Sequence, residues 1–312
     1  MTTGTRLLTA ALVVFTACAV YYSFLRPQSN RAASRPAHVA AMPGKLVATP
    51  HYAITSTATD PQTKLVAEAV DSLYDAYLGF FATSLRVDPN QPKLQLTLYK
   101  DQREFKKHNR SSAWAEAYYL PTTCYAYYAE GEQNPYHWML HEATHQLNHQ
   151  VGHLPKSKWI DEGLATYFGT SKLRNHALIP GSIDVNTYPI WWLTRFSLTG
   201  NALEDIESRK LISLRALISG VGGPNISQNV NSYYISYWSL THFLFHFDNG
   251  RYADKYRQVI ATGGNLENFE KIVGPVDRIQ VEWYGYLRQQ LEALGGDEVV
   301  YVIDASSESP AQ

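Results

Sequence analysis

Five histidines fall at every fourth position of HWMLHEATHQLNHQVGH: His137, His141, His145, His149 and His153. On an α-helix, residues four apart are displaced by about 6 Å along the axis and rotated by about 40°, so neighbouring rungs can share one ion and rungs eight apart cannot. Only the His141–His145 pair has a glutamate directly after its first histidine, which makes HEATH an instance of HExxH. In that pattern two imidazoles on one helix face bind zinc, and the glutamate between them, Glu142, reaches the water that the ion activates. His137, His149 and His153 read as core or solvated histidines, because their spacing to the pair is wrong for ligation.

A third ligand is expected from WIDEGLATYF, residues 159–168, which opens a second helix after the turn-prone GHLPKSK. Two antiparallel helices joined by a short loop can point Glu162 back at the ion, giving His, His and Glu with an open fourth position. Asp161 is the alternative third ligand, although the residue before Glu162 points about 100° away around the helix. A metal sensor or buffer that uses the whole ladder is a further reading; it requires several ions per chain.

The segment resembles the gluzincin metallopeptidases of the peptidase MA clan, in which a second motif after the HExxH helix supplies a glutamate ligand. In particular it is similar to a bacterial branch of uncharacterised zincins in which HEATHQL is followed by a W-x-x-EGLA-x-Y block. The close match runs over roughly 141–168, with weaker similarity in the strands before it and in YISYWSLTHFL, residues 234–244. The resemblance implies metal ligands at His141, His145 and Glu162 and a general base at Glu142. The chain departs from the thermolysin-like members in two ways. Glu162 follows His145 by 17 positions, a shorter interval, and Thr166 stands where those members carry an aspartate that braces a zinc histidine.

The chemistry implied is hydrolysis of a peptide or protein substrate. Zinc on two neutral imidazoles and a carboxylate polarises a carbonyl and acidifies water, Glu142 takes the proton, and the same residue returns it to the leaving amine. An oxyanion donor besides the metal is required. The tyrosine cluster SYYISYW can provide it; the resemblance selects Tyr234, with Tyr233 and Tyr237 as alternatives and His242 behind them. The strand in CYAYYAEG is expected at the rim of the cleft, where its edge could pair with extended substrate. No motif binds a substrate amino terminus, which favours an endopeptidase over an aminopeptidase. The alternative function is a non-catalytic envelope binding or scaffold protein that keeps a structural zinc site, motivated by the missing bracing aspartate and the absence of any recognisable specificity element. Cys124 reads as a buried small side chain in a strand, and no nucleophile-elbow serine or phosphate-binding glycine loop is present.

These residues need a scaffold, and its elements are legible from period and breakers. HYAITST and KLQLTLYK (93–100) alternate as strands, and AEAYYLP and TTCYAYYAEG form two more, joined near Pro121. A helix starting at Asp60-Pro61 and running to about Leu85 buries Val66, Val70, Leu73, Tyr77 and Phe81. DQREFKKH is a short helix, Trp159–Phe168 a longer one, and Ile190–Leu294 is mostly helical with breaks at Gly220–Pro224, Gly250, Gly263-Gly264 and Gly274-Pro275. The expected class is α+β and zincin-like: a small mixed sheet with the histidine helix (48–170), followed by a mainly helical half (171–302).

Composition bounds the rest. A chain of 312 residues that is 45% hydrophobic can bury a large core, and 27 basic against 28 acidic residues leave no positive field to hold nucleic acid. Leu7–Leu25 is an uncharged run of 19 residues, close to the roughly 20 that span a bilayer, so residues 1–25 are read as an N-terminal membrane anchor or signal. FTAC, ending at Cys18, loosely resembles a lipobox, but the apolar AVYYSFL after it argues against cleavage there. Arg6 precedes the run and Arg26, Arg31 and Arg35 follow it, so the positive-inside rule does not orient it. The domain is expected outside the cytoplasm, on a single-pass anchor. Residues 26–47 read as a flexible tether and 303–312 as a polar, disordered tail.

Overall fold

The computed structural model describes residues 44–81, 91–109 and 115–295. The expected anchor, most of the tether, helix residues 82–85 and the C-terminal tail lie outside them. Among the described residues no helix is long and apolar enough to cross a membrane.

The chain is α+β. Strands β1 (Lys45–Ala48), β2 (Tyr52–Ser56), β3 (Leu94–Tyr99), β4 (Tyr118–Leu120) and β5 (Thr123–Tyr127) form one mixed sheet in the order β1-β2-β3-β5-β4. The three central strands β2, β3 and β5 run parallel, and β1 and β4 lie antiparallel on the two edges. Parallel neighbours need crossovers, and helices α1 (Asp60–Phe81) and α2 (Gln102–His108) supply them. The register aligns Ile54, Leu96 and Cys124 across the sheet, with Ser56, Leu98 and Ala126 in the next row, and all six are buried. The alternate residues Thr55, Thr97 and Tyr125 are only half-buried. Helices therefore cover one face of the sheet. α1 presents Val66, Val70, Leu73, Tyr77 and Phe81 to the core, the face its period predicts.

Two differences from the sequence expectation concern the sheet. β1 starts at Lys45, inside the segment expected as a tether, because Lys45–Ala48 finds a partner in β2 that a sequence window cannot show. The strand in CYAYYAEG is β5, an interior strand flanked by β3 and β4, and β4 takes the edge in its place. The Pro121-Thr122 turn folds β4 back antiparallel onto β5, which fills the edge that β5 would otherwise expose.

Helices α3 (His137–Gln150) and α4 (Lys158–Gly169) follow, and then a small hairpin of β6 (Lys172–Arg174) and β7 (Ala177–Ile179) that periodicity does not announce. The remainder is helical as expected: a 3-10 turn (Ile190–Arg195), α5 (Ala202–Glu207), α6 (Leu214–Ser219), α7 (Val230–His246), α8 (Ala253–Ala261), α9 (Leu266–Ile272) and α10 (Val276–Gly295). Gly220 ends α6 with φ 71, the left-handed conformation that favours glycine at a helix C-terminus. α3 is central. It packs on the sheet, on α1 and on α4, and α4 packs in turn on α7.

Candidate metal centre

α3 is held to the sheet by its own polar side chains. Gln146 Nε2 donates to Thr122 O at 2.8 Å and Gln95 O at 3.2 Å, and Cys124 Sγ donates to Glu142 O at 3.2 Å. Cys124 is thus a buried strand residue, as expected, locked against the back of the helix. These bonds fix the rotation of α3, which turns His141 and His145 toward α4. The helices approach closely: a Cβ at Gly169 would lie 3.2 Å from His141 Cβ, and one at Gly163 would lie 2.3 Å from Thr241 Oγ1 on α7. The glycine of EGLA is therefore a steric requirement for seating α4 between its neighbours.

His141, His145 and Glu162 converge as the sequence predicts, and the group could hold a metal ion. His141 Nε2 and His145 Nε2 are 3.2 Å apart, and each is 3.7 Å from Glu162 Oε2. The nearest point equidistant from these three atoms lies about 2.1 Å from each, within the range of zinc–nitrogen and zinc–oxygen bonds of about 2.0–2.2 Å. Both oxygens of Glu162 are buried and have no hydrogen-bond partner, and its side chain is 1% exposed. A buried carboxylate without a hydrogen bond is expensive, and a cation at this point, closer than the ring nitrogens at 3.7 Å, would compensate it. The donor set and the orphaned atoms both fit a divalent ion.

The surrounding field also favours positive charge. Burial disfavours protonation of His145, but Asp161, Glu162 and Glu142 outweigh it and raise the ring's pKa to about 10. A cation at Nε2 competes for the field that would otherwise hold a proton there. The largest influence on Glu142 is burial, which raises its carboxyl pKa, and His141 and His145 act in the opposite direction. Glu142 is 7% exposed and sits on α3 between the two ligating histidines.

Asp161 is not a third ligand. Its Oδ2 lies 3.0 Å from Nδ1 of His145, the ring nitrogen that faces away from the Nε2 triangle. Its Oδ1 accepts from Asn148 Nδ2 at 2.8 Å, and Asn148 Oδ1 accepts from the Tyr77 hydroxyl at 2.9 Å. A chain of contacts thus runs from α1 through α3 to α4 and ends on a ligand histidine. Burial acts to raise the Asp161 carboxyl, but His145 and Asn148 together hold it below the ordinary carboxylate range. Thr166 takes no part in bracing, since its hydroxyl donates back to Glu162 O at 2.7 Å within its own helix. With a threonine at 166, the acid that faces the outer nitrogen of His145 is Asp161. Asn148 and Tyr77 carry no sequence signal, because only the packing of α1 on α3 brings them to Asp161.

The other three rungs point elsewhere. His137 is buried, with Nδ1 2.8 Å from Asn134 O and 3.2 Å from Glu132 Oε2. His149 is exposed and meets the Tyr119 hydroxyl at 3.1 Å, and His153 is an exposed turn residue with φ 46.

Among the tyrosines, the structure brings Tyr234 to the site, where its ring stacks on His141 with centroids 6.2 Å apart. Burial, and after it the charge of Glu162, pushes the Tyr234 pKa far up, so the phenol keeps its proton and remains a donor. Tyr233 is committed to Pro224 O at 2.8 Å. His242 is held away from the site between the Tyr286 hydroxyl at 2.7 Å and Gly181 O at 2.9 Å. Tyr237 packs edge-on against Tyr234 with centroids 6.3 Å apart. Tyr188, which the sequence does not single out, adds a second phenol: its ring lies 5.8 Å from Tyr234 and 5.6 Å from Trp138, and its hydroxyl is buried without a partner, as is the Trp138 indole nitrogen. Several of the chain's orphaned polar atoms thus gather around one centre.

Residues 138–262 match a family model described as a protein of unknown function, DUF1570. The matched stretch begins on α3 and ends just after α8, so it contains His141, Glu142, His145, Asp161, Glu162, Tyr188 and Tyr234. Among curated proteins, none matches the chain.

Proposed function

We propose that this protein is a zinc-dependent peptidase of the gluzincin type with a zincin-like fold, tethered to a membrane through Leu7–Leu25 with its catalytic domain outside the cytoplasm. The observation that carries the reading is the convergence of His141 Nε2, His145 Nε2 and Glu162 Oε2 on one point, with a second carboxylate, Glu142, on the same helix between the two histidines and outside the ligand group.

When bound, zinc supplies Lewis acidity, polarising a carbonyl and making water acidic enough to lose a proton near neutral pH. The chain's own residues do the rest. His141, His145 and Glu162 hold the ion, and Asp161 keeps the His145 ring oriented with Nε2 inward. Glu142 accepts the proton on a carboxylate oxygen and delivers it to the departing amine; burial raises its pKa toward the working pH, which suits a group that must both take and give. The Tyr234 hydroxyl, kept protonated, donates to the developing oxyanion, and Tyr188 stands beside it as a second donor. The substrate is a peptide or protein, and endopeptidase action is the favoured form.

The alternative of a silent structural zinc site draws on the missing brace at Thr166 and on the absence of a recognisable specificity element; the Asp161 carboxylate, 3.0 Å from His145 Nδ1, weighs against the first of these. The test is a metal analysis of the purified protein with a broad peptide-library digest of parent and Glu142→Gln. The expected result is about one zinc per chain in both and cleavage by the parent only, a loss of roughly two to four orders of magnitude. Equal cleavage by the variant, or no cleavage by a zinc-loaded parent, would overturn the reading.

A further inference from the structure

A second feature lies at the start of α7. A cavity of about 370 Å³ opens between the end of the 3-10 turn, the segment after α5 and the first turn of α7. Arg195 reaches it from the turn, and Arg209 and Lys210 from the segment after α5. No carboxylate lines it among the described residues. Lys210 Nζ approaches only to 4.0 Å from the buried Asp205, whose oxygens already accept from the Tyr284 hydroxyl at 2.6 Å and from Thr199 N at 3.0 Å. Neither arginine has a carboxylate within ion-pair distance among the described residues.

Three further observations give the cavity a sign and a shape. The Arg195 guanidinium lies over the Trp192 ring, 4.1 Å from its centroid, a contact that restrains it beside the cavity both residues line. The first turn of α7 contains no acid, and its N-cap residue Asn229 makes no capping bond, so the positive end of a 17-residue helix adds to the field. Trp192, Phe196 and Ile235 make the rest of the wall apolar.

We infer that this cavity binds a small anionic ligand: a carboxylate or phosphate group carried on a short apolar stem. Three exposed cations from two stretches of chain offer an oxyanion several donors, and guanidinium forks pair with oxyanions through two parallel hydrogen bonds. The volume sits near the lower end of the roughly 300–1,000 Å³ typical of ligand pockets, which suits one or two amino-acid residues or a small phosphate ester. The inference does not rest on the metal-centre reading.

Calorimetric titration of the full-length chain tests it, with inorganic phosphate as one probe and an N-acetylated dipeptide with a free carboxylate as the other. Saturable binding of at least one probe is expected, weaker at high salt, and absent for the dipeptide carboxamide. Tighter binding of phosphate assigns the site to phosphate esters, and tighter binding of the dipeptide assigns it to peptide ends. The double variant Arg195→Gln/Arg209→Gln should lose about tenfold or more in affinity with its melting temperature retained. Should it fail to fold, Arg209→Glu, which changes one exposed side chain, gives the same reading. No binding of either probe at roughly 10 mM, or parental affinity in the variant that folds, overturns the proposal.

Discussion

Asp161 Oδ2 lies 3.0 Å from His145 Nδ1, one residue before the acid that closes the metal triangle. Adjacent carboxylates on one helix thus address opposite nitrogens of the same imidazole. A carboxylate behind a ligand histidine fixes its orientation and raises its basicity, and losing such a partner typically weakens metal affinity by about 10–100-fold. Asp161→Ala should therefore lower zinc affinity by that order in competition with a chromophoric chelator. An unchanged dissociation constant would remove Asp161 from this role.

Tyr234→Phe keeps the ring that packs on His141 and deletes only the donor. The expected loss is in kcat, about 10²–10³-fold, with zinc content unchanged. Tyr233→Phe is the internal comparison, since its hydroxyl is spent on Pro224 O, and it should leave kcat alone. A drop confined to KM in the Tyr234 variant would argue for a binding role instead.

Removing the ion should destabilise the fold, because the buried Glu162 carboxylate then has no hydrogen bond and only the His141 and His145 rings at 3.7 Å as counter-charge. Binding to the folded state alone stabilises by about 4 kcal/mol at a thousandfold excess of metal over Kd, or on the order of 10 °C in melting temperature for a domain of this size. Differential scanning fluorimetry with and without a chelator measures the shift. Glu162→Gln should largely erase the response; a full shift in that variant would place the ion elsewhere.

Acid should act on the helical half through His242, which is 4% exposed and bonded on both ring nitrogens. Burial, with the neighbouring His246, lowers the His242 pKa from 6.5 to about 3, so the folded chain holds this ring neutral. The unfolded chain takes up the proton first. Stability is therefore full above about pH 6.5 and falls as pH drops toward 3, with a slope of up to about 1.4 kcal/mol per pH unit from this group. Urea unfolding across that range should show the slope, reduced by one proton in His242→Gln. An identical slope in the variant would mean the ring is not held neutral in the fold.

Gly163→Ala tests the seating of α4. The added Cβ would meet Thr241 Oγ1 at 2.3 Å and Tyr237 O at 3.3 Å, and one of these contacts is backbone that cannot rotate away. Overpacking of this kind costs about 1–3 kcal/mol. Urea denaturation should report that loss, and metal affinity should fall with it, because α4 carries Glu162 and Asp161. A variant as stable as the parent would show that α4 and α7 separate freely.

The ligand set is legible in the sequence because helical spacing alone puts His141 and His145 on one face and a following antiparallel helix can return Glu162 to them. The brace is not. Asp161 is visible as an acid at the right place, but its direction around α4 decides between ligand and support, and that direction depends on how closely Gly163 and Gly169 let the helices approach. Tyr77 and Asn148 meet across 71 positions of sequence, so no local pattern announces them. The longer strands can be found one by one from their alternation, yet their order cannot, since whether β5 is an edge or an interior strand is settled by where β4 folds back.

The indole of Trp138 sits three residues before His141 on the same helix, between the rings of His137 and Tyr188, with centroids 4.3 Å and 5.6 Å away. Its excited state is sensitive to nearby charge, so the arrival of a cation one helical turn away should alter its emission. Of the chain's seven tryptophans this one stands nearest in sequence to the paired histidines, and its emission should therefore follow metal loading in the parent and fall silent to it in Trp138→Phe.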